Sequence, residues 1–534
     1  LQDRFGSKFI RDFGFALKFT AMSDKKLVEN MVHVRKRINT PRSFKDFGEV
    51  VIGEEKNSVN RNVEITQLVS DSRRVTNGSA FFALPGLRTD GNRYIKEALE
   101  RGARAIITED DSIEVPSSVV KVCVKDARKT LARLSKRYFG CPDESLEIVG
   151  VTGTNGKTTV STLVRHLLEE EGRPVGLIGT VKYNLGDREV PSFRTTPESA
   201  DLYSLLRSML VGGCSEAVME VSSHGIHQHR VAGLKLGICV FLNLTRDHLD
   251  YHKNMESYFN EKRKIFNGEN GSLPKVAIIN GDCPYGQRLL RELPPQVRVL
   301  SFGMEKGNDF RARNLELKEN GSEFILEAPT GTHVVTSPML GKFNVLNLLA
   351  SLAVIHARRR SVPDSIRKVN AFGGVDGRME TVQGEQNYKV VVDYAHTPDA
   401  LRNVLGMLRE CTPGKLHVVF GCGGDRDRGK RMEMTRVACA GADIIWATSD
   451  NPRTESQEKI FLDMKKGVTR GSKISFVEDR RRAISLALDK AEKGDCVLIA
   501  GKGHEGFQEV QYSAIPFDDR KIAFELLQVK ALAE

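Results

Sequence analysis

The stretch EIVGVTGTNGKTT (147–159) gathers the residue types that hold phosphate. Gly153 and Gly156 allow backbone N–H groups to close around phosphate oxygens at a helix N-terminus. Lys157 can reach the β- and γ-phosphates of a nucleotide, and the Thr158 hydroxyl can ligate Mg²⁺. Thr154, Asn155 and Thr159 complete the loop. The fit to G-x-x-x-x-G-K-[ST] departs at its first position, where Val151 stands instead of glycine. The context is nonetheless complete. An apolar strand precedes the loop, and Val160, Leu163, Val164, Leu167 and Leu168 then recur on one helical face before the stop signal Gly172. Strand, loop and helix together read as a nucleotide site.

The elements that must position this loop belong to a chain of 534 residues, long enough for three or four domains. Residues 1–48 read as a basic extension with a mixed-charge middle (24–37). Residues 49–145 alternate apolar runs (80–84, 105–107, 119–124) with a helical stretch at 94–99, giving a small α/β unit. A second unit, 146–373, carries the phosphate loop and buried-type strands at 217–221, 239–242 and 276–279, with Gly373 and Gly374 as a hinge. A third, 374–534, repeats the rhythm at 390–392, 416–420, 444–447 and 497–500. The expected class is therefore α/β, with parallel sheets.

Composition narrows the setting. With 40% hydrophobic and 28% charged residues the chain has ordinary globular usage, and no apolar run is long enough for a membrane span. The 80 Lys+Arg against 69 Asp+Glu leave a net charge of +11, suited to polyanions in general, although no nucleic-acid-binding motif accompanies it. Residues 1–50 alone hold eleven Lys+Arg and six Asp+Glu. The chain starts with Leu, which is expected of a processed precursor or of a start that lies further upstream. The nine cysteines form no C-x-x-C pair and read as reduced core thiols. The runs 358–360 and 480–482 are extra arginine clusters that read either as surfaces for acidic partners or as plain helix surface.

GTNGKTT resembles the Mur ligase family, which joins amino acids to UDP-muramoyl precursors and is related to folylpolyglutamate synthetases. MEVSSHGIHQHRV (219–231), NLTRDHLDYH (243–252) and VVDYAHTPD (391–399) narrow the likeness to the MurE type, which adds the third residue of the peptide stem. The resemblance spans about 62–525. It implies three domains: a UDP-substrate domain, a central P-loop ATPase-like sheet domain and a Rossmann-like C-terminal domain. It also implies ATP-driven amide formation through an acyl phosphate.

The family pattern assigns further residues. Glu220 and His248 match Mg²⁺ ligands beside Thr158, and Lys262 in YFNEKRKIF (258–266) falls where the family has a carbamylated lysine. From the residues alone, Lys262 could equally belong to a solvated face with Arg263 and Lys264. Asn280 and Asp282 match the adenine side, Asn347 lies near the nucleotide, Asp393 fits the ribose, and Arg378 in GRME fits a γ-phosphate contact. For the UDP-sugar the matches are Ser72 in SDSRR, Thr195 and Thr196 in RTTPE, Ser222, Gln228 and Arg230. Ser72 and Thr195 also read as turn or cap residues. The sequence departs from the family at Arg194, where Asn commonly stands, and at Leu87-Arg-Thr before Asp90.

Amino-acid choice is implied by DNPRTE (450–455), which resembles the signature of enzymes adding meso-diaminopimelate. Asp450, Asn451, Arg453 and Arg426 would receive the substrate, the two arginines gripping its distal carboxylate, with Gly501 and Glu505 of GKGHE completing the pocket. DNPR and GKGHE disfavour a folylpolyglutamate synthetase. Two settings stay open. One is a ligase in a bacterial cytoplasm. The other is a plastid member, similar to the MurE-like proteins of plants that associate with the plastid-encoded RNA polymerase in chloroplast development. The basic first 50 residues and the +11 charge point to the plastid.

Overall fold

The computed structural model describes residues 42–43, 63–86, 89–318, 321–511 and 513–531. The expected helix at 24–37, nearly all of the basic extension, and Leu87 and Arg88 lie outside the described residues.

In the first unit, strands Gln67–Val69, Ser79–Phe82, Ala105–Thr108 and Val120–Cys123 lie in sequence order and all pair in parallel. Helix Ala127–Tyr138 covers them with Leu131, Leu134 and Tyr138, and its first turn is capped by Asp126, which accepts from the Lys129 amide.

The central sheet has eleven strands. Seven run parallel, in the order Val175–Ile178, Glu216–Glu220, Glu147–Thr152, Ile238–Phe241, Val276–Asn280, Arg298–Gly303 and Phe310–Lys318. Antiparallel strands extend it at both edges: Lys182–Asn184 and Glu189–Pro191 on one, Gly321–Ala328 and Gly331–Ser337 on the other. The inner strands are buried at nearly every position, because helices cover both faces. Helices Lys157–Leu168 and Lys342–Ala357 pack together on one face, sharing Val160, Leu163, Val164, Leu348 and Leu352 in a single core.

The last unit is a six-stranded sheet in the order Glu380–Thr381, Lys389–Asp393, Cys496–Ala500, Leu416–Cys422, Ile444–Ser449, Ile474–Phe476, parallel except for its first pair. Its carboxyl ends face those of the central sheet, where open α/β sheets bind ligands. The nine cysteines, all among the described residues, form no disulfide with one another. No helix among the described residues is long and apolar enough to cross a membrane.

The arginine clusters differ from a free basic surface. Arg358 pairs with Glu216 and Glu147, Arg360 with Glu170, and Arg481 with Glu525. Arg480 is fully buried against Asp519.

Candidate active site

A cavity of about 1320 Å³ opens between the two sheets and is lined from Thr154 to Thr159 by the phosphate loop. Gly156 has φ +87, and a Cβ there would lie 2.5 Å from the Asn347 carboxamide oxygen, so the loop needs glycine for both reasons. The Asn243 side chain pins the loop by accepting from the amides of Thr154 (3.1 Å) and Asn155 (2.9 Å). The first amides of helix Lys157–Leu168 lie along the cavity wall, where an anion would complete their bonding.

Two lysines meet beneath this loop. Lys157 Nζ donates to the carbonyls of Gly153 and Thr154, both at 2.9 Å. Lys262 Nζ donates to the same Gly153 carbonyl at 2.9 Å and to Thr152 Oγ1 at 3.3 Å. Lys262 is 1% exposed, whereas its neighbours Arg263 and Lys264 turn outward to Glu292 and Glu261. It is thus part of the loop's support rather than a solvated face. Burial, with Lys157 adding repulsion, pushes the Lys262 amine well below the usual lysine range. Burial lowers Lys157 as well, partly offset by Glu220 and Asp247.

Glu220, fully buried at the end of its strand, accepts from the Thr180 amide (2.8 Å), the Thr180 hydroxyl (2.9 Å) and the Thr158 hydroxyl (3.2 Å). His248 lies on the same cavity, with its Nε2 3.3 Å from Asp247. Burial drives His248 well below its ordinary value and His224 down to about 4. Asp247 is buried too, yet His248, Lys430 and His396 keep its carboxyl well below the usual range. No three His, Cys, Asp or Glu side chains gather as a metal cage among the described residues. The Thr158–Glu220 pair fits Mg²⁺ in another way. That ion is usually held by one or two carboxylates together with substrate phosphates and water.

From the C-terminal unit, Arg378 donates to Thr158 Oγ1 at 3.1 Å and stacks on Tyr394, its guanidinium carbon 4.5 Å from the ring centre. Asp393, raised by burial against the influence of Arg378, accepts from the Met379 amide. Asn280 and Asn347 line the cavity. Asp282 lies outside the lining, its carboxylate taken up by the amides of Met304 and Glu305 and by Asn308. An apolar patch of Phe302, Met339, Leu340 and Phe343 beside Asn280 and Asn344 offers a place for a base. The sequence reading missed it.

Arg194, Thr195, Thr196, Ser222, Gln228 and Arg230 all line the other end. Thr196 bonds the Glu220 carbonyl and the Ser222 amide, Ser222 caps helix Ser223–His227, and Arg194 pairs with Glu198. Ser72 is placed elsewhere: buried in the first unit, it donates to Glu97 at 2.7 Å.

Arg453, Arg426 and Glu509 line the cavity on the C-terminal side. Asp450, Asn451, Gly501 and Glu505 stand behind them as support. Asn451 and Lys502 both donate to Glu505 Oε2, and Tyr394 donates to its other oxygen. Glu505, raised by burial, therefore has its oxygens engaged within the protein instead of facing the cavity. Gly501 has φ +116, and a Cβ there would press to 2.8 Å from the Asp450 carboxylate.

Three family descriptions match successive parts of the chain: "Mur ligase family, catalytic domain" at 64–139, "Mur ligase middle domain" at 151–355 and "Mur ligase, glutamate ligase domain" at 377–503. The UDP-N-acetylmuramoyl-L-alanyl-D-glutamate–2,6-diaminopimelate ligase of Listeria monocytogenes is 42% identical over 466 residues, 86% of this chain and 94% of the relative. The enzyme of the same description from Thermosynechococcus vestitus is 42% identical over 465 residues, 86% and 93% of the two chains. A solved structure of a ligase of that description superposes with a TM-score of 0.63 at 34% identity, covering 92% of this chain and all of the other. MurF from Acinetobacter baumannii, 20% identical, shares the fold with a TM-score of 0.64 over 93% of this chain and all of its own.

Proposed function

The chain belongs to the Mur ligase family, to its MurE type, and on that premise we propose that it joins meso-diaminopimelate to UDP-MurNAc-L-Ala-D-Glu at the expense of ATP. The observation that carries this reading is the meeting of Thr158, Glu220 and Arg378 at the end of the phosphate loop. Groups from two domains converge there on one point, where the charge of a transferring phosphoryl group would develop. In this reading the substrate carboxylate, held near Thr195, Ser222 and Arg230, attacks the γ-phosphate. The amine of the amino acid then displaces phosphate from the resulting acyl phosphate. Mg²⁺ at Thr158 and Glu220 would neutralise phosphate charge when bound. The buried amine of Lys262, with no carboxylate bonded to it among the described residues, supports its carbamylation, since only an uncharged amine can take up CO₂.

Purified protein with ATP, Mg²⁺, UDP-MurNAc-dipeptide and meso-diaminopimelate should release phosphate well above a Lys157→Ala control. Release equal to that control would overturn the assignment.

The plastid setting and an association with the plastid-encoded RNA polymerase form a second reading, favoured by the +11 charge and the basic residues of 1–50. Recovery of polymerase subunits with the protein from plastids supports it; recovery of the protein alone at physiological salt counts against it.

A further inference from the structure

Arg453, the residue whose fork would grip the distal carboxylate of the amino acid, already holds a carboxylate of its own chain. Its Nε lies 2.6 Å from Glu509 Oε2, and its Nη1 donates to the Gly424 carbonyl at 2.9 Å. A guanidinium offers a carboxylate two flat edges, one made of Nε with a terminal nitrogen and the other of both terminal nitrogens. Glu509 thus occupies the Nε edge of Arg453, and a two-bond grip on that edge is open to a ligand only after Glu509 leaves.

The pairing is built into the backbone. The Arg453 amide donates to the Glu509 carbonyl (3.0 Å), the Gln511 amide to the Arg453 carbonyl (2.6 Å), and the Glu509 amide to Asn451 Oδ1 (3.0 Å). These bonds also hold Arg453 at φ +53, a left-handed conformation that a residue with a side chain seldom adopts unsupported. Glu509 is therefore tethered to the arginine at a high local concentration, while its side chain is 40% exposed and both residues line the cavity.

We infer that Glu509 is a specificity-determining residue: an internal carboxylate that competes with the distal carboxylate of the incoming amino acid for Arg453. The inference rests on the proposed use of diaminopimelate. It makes Glu509 a brake on that substrate, since a ligand carboxylate must displace a tethered one. A ligand without a distal carboxylate, such as L-lysine, meets a neutralised arginine instead of a bare cation.

The test is calorimetric titration of the full chain, with ATP, Mg²⁺ and UDP-MurNAc-dipeptide analogues that cannot react, against meso-diaminopimelate and L-lysine. Glu509→Gln should bind meso-diaminopimelate about tenfold more tightly than the parent, and lysine no more tightly, because only the first ligand uses the freed donor. Glu509→Ala should behave alike, which separates loss of charge from the glutamine's own hydrogen bonds, and a parent-like melting temperature reports that each variant is folded. Equal or weaker diaminopimelate binding in both variants overturns the inference and leaves the ligase reading standing. Absence of diaminopimelate binding in parent and variants alike overturns both.

Discussion

Arg378 Nη2 stands 3.1 Å from the hydroxyl of Thr158, although the two residues lie 220 positions apart in different domains. The contact carries a cation from the C-terminal sheet onto the phosphate loop. Further ties run parallel to it: Asn155 donates to Asp399, and Arg246 pairs with Asp427 and Glu433.

Removing that cation should affect the chemical step more than nucleotide binding. Arg378→Ala is expected to lower kcat about 10²–10³-fold, the usual cost of losing one group aimed at developing charge, with a smaller change in KM for ATP. Arg378→Lys should restore little, because an ammonium cannot both stack flat on Tyr394 and reach Thr158. Steady-state phosphate release with ATP varied measures both parameters.

Glu220 gives a separate prediction about metal demand. Its carboxylate is the only acidic side chain hydrogen-bonded to Thr158 among the described residues, and it is held by Thr180 as well. Glu220→Gln preserves shape but removes the charge. The Mg²⁺ concentration for half-maximal rate should rise about tenfold or more, with the change visible in an Mg²⁺ titration at saturating ATP.

How much of this was legible in the sequence follows from how each feature is assembled. The phosphate loop was readable because strand, glycines, lysine and helix are contiguous. The apolar patch for a base was not, because Phe302 is next to last in one strand, Met339 and Leu340 sit on the connection to helix Lys342–Ala357, and Phe343 lies in that helix's first turn. Charged runs left two readings open for a geometric reason. Successive helical residues point about 100° apart, so Lys262 faces the core while Arg263 and Lys264 face solvent, and Arg480 is buried while Arg481 is not. The family pattern put Ser72, Asp282 and Glu505 among ligand contacts, and in the structure each bonds a neighbour within its own domain.

Arg480 and Asp519, both without solvent exposure, form a two-bond ion pair, and Arg480 further donates to the carbonyls of Ser449 and Ala500. These are the last residues of the two strands that launch 450–453 and 501–505, so the pair fixes where both loops start. Arg480→Ala leaves Asp519 charged and buried, at an expected cost of about 3–5 kcal/mol. Replacing both by apolar residues of similar volume should recover most of that. Thermal and urea unfolding of the two variants decides it.

In CO₂-free buffer, where its amine carries no carbamate, Lys262 should trade stability for function in a pH-dependent way. Its amine is buried and held well below the ordinary lysine value of 10.5, so between the folded and unfolded values the unfolded chain binds the extra proton. By linkage, stability then rises with pH across that window, and near neutrality the lysine costs stability. Lys262→Met removes the titrating group while keeping the volume. The variant should unfold at a higher temperature than the parent at pH 7, the difference should shrink as pH approaches 10, and ligase turnover should be lost. Melting curves at pH 7, 8.5 and 10 on both proteins test the sign. A gap that widens with pH would mean the Lys262 amine is charged in the folded protein.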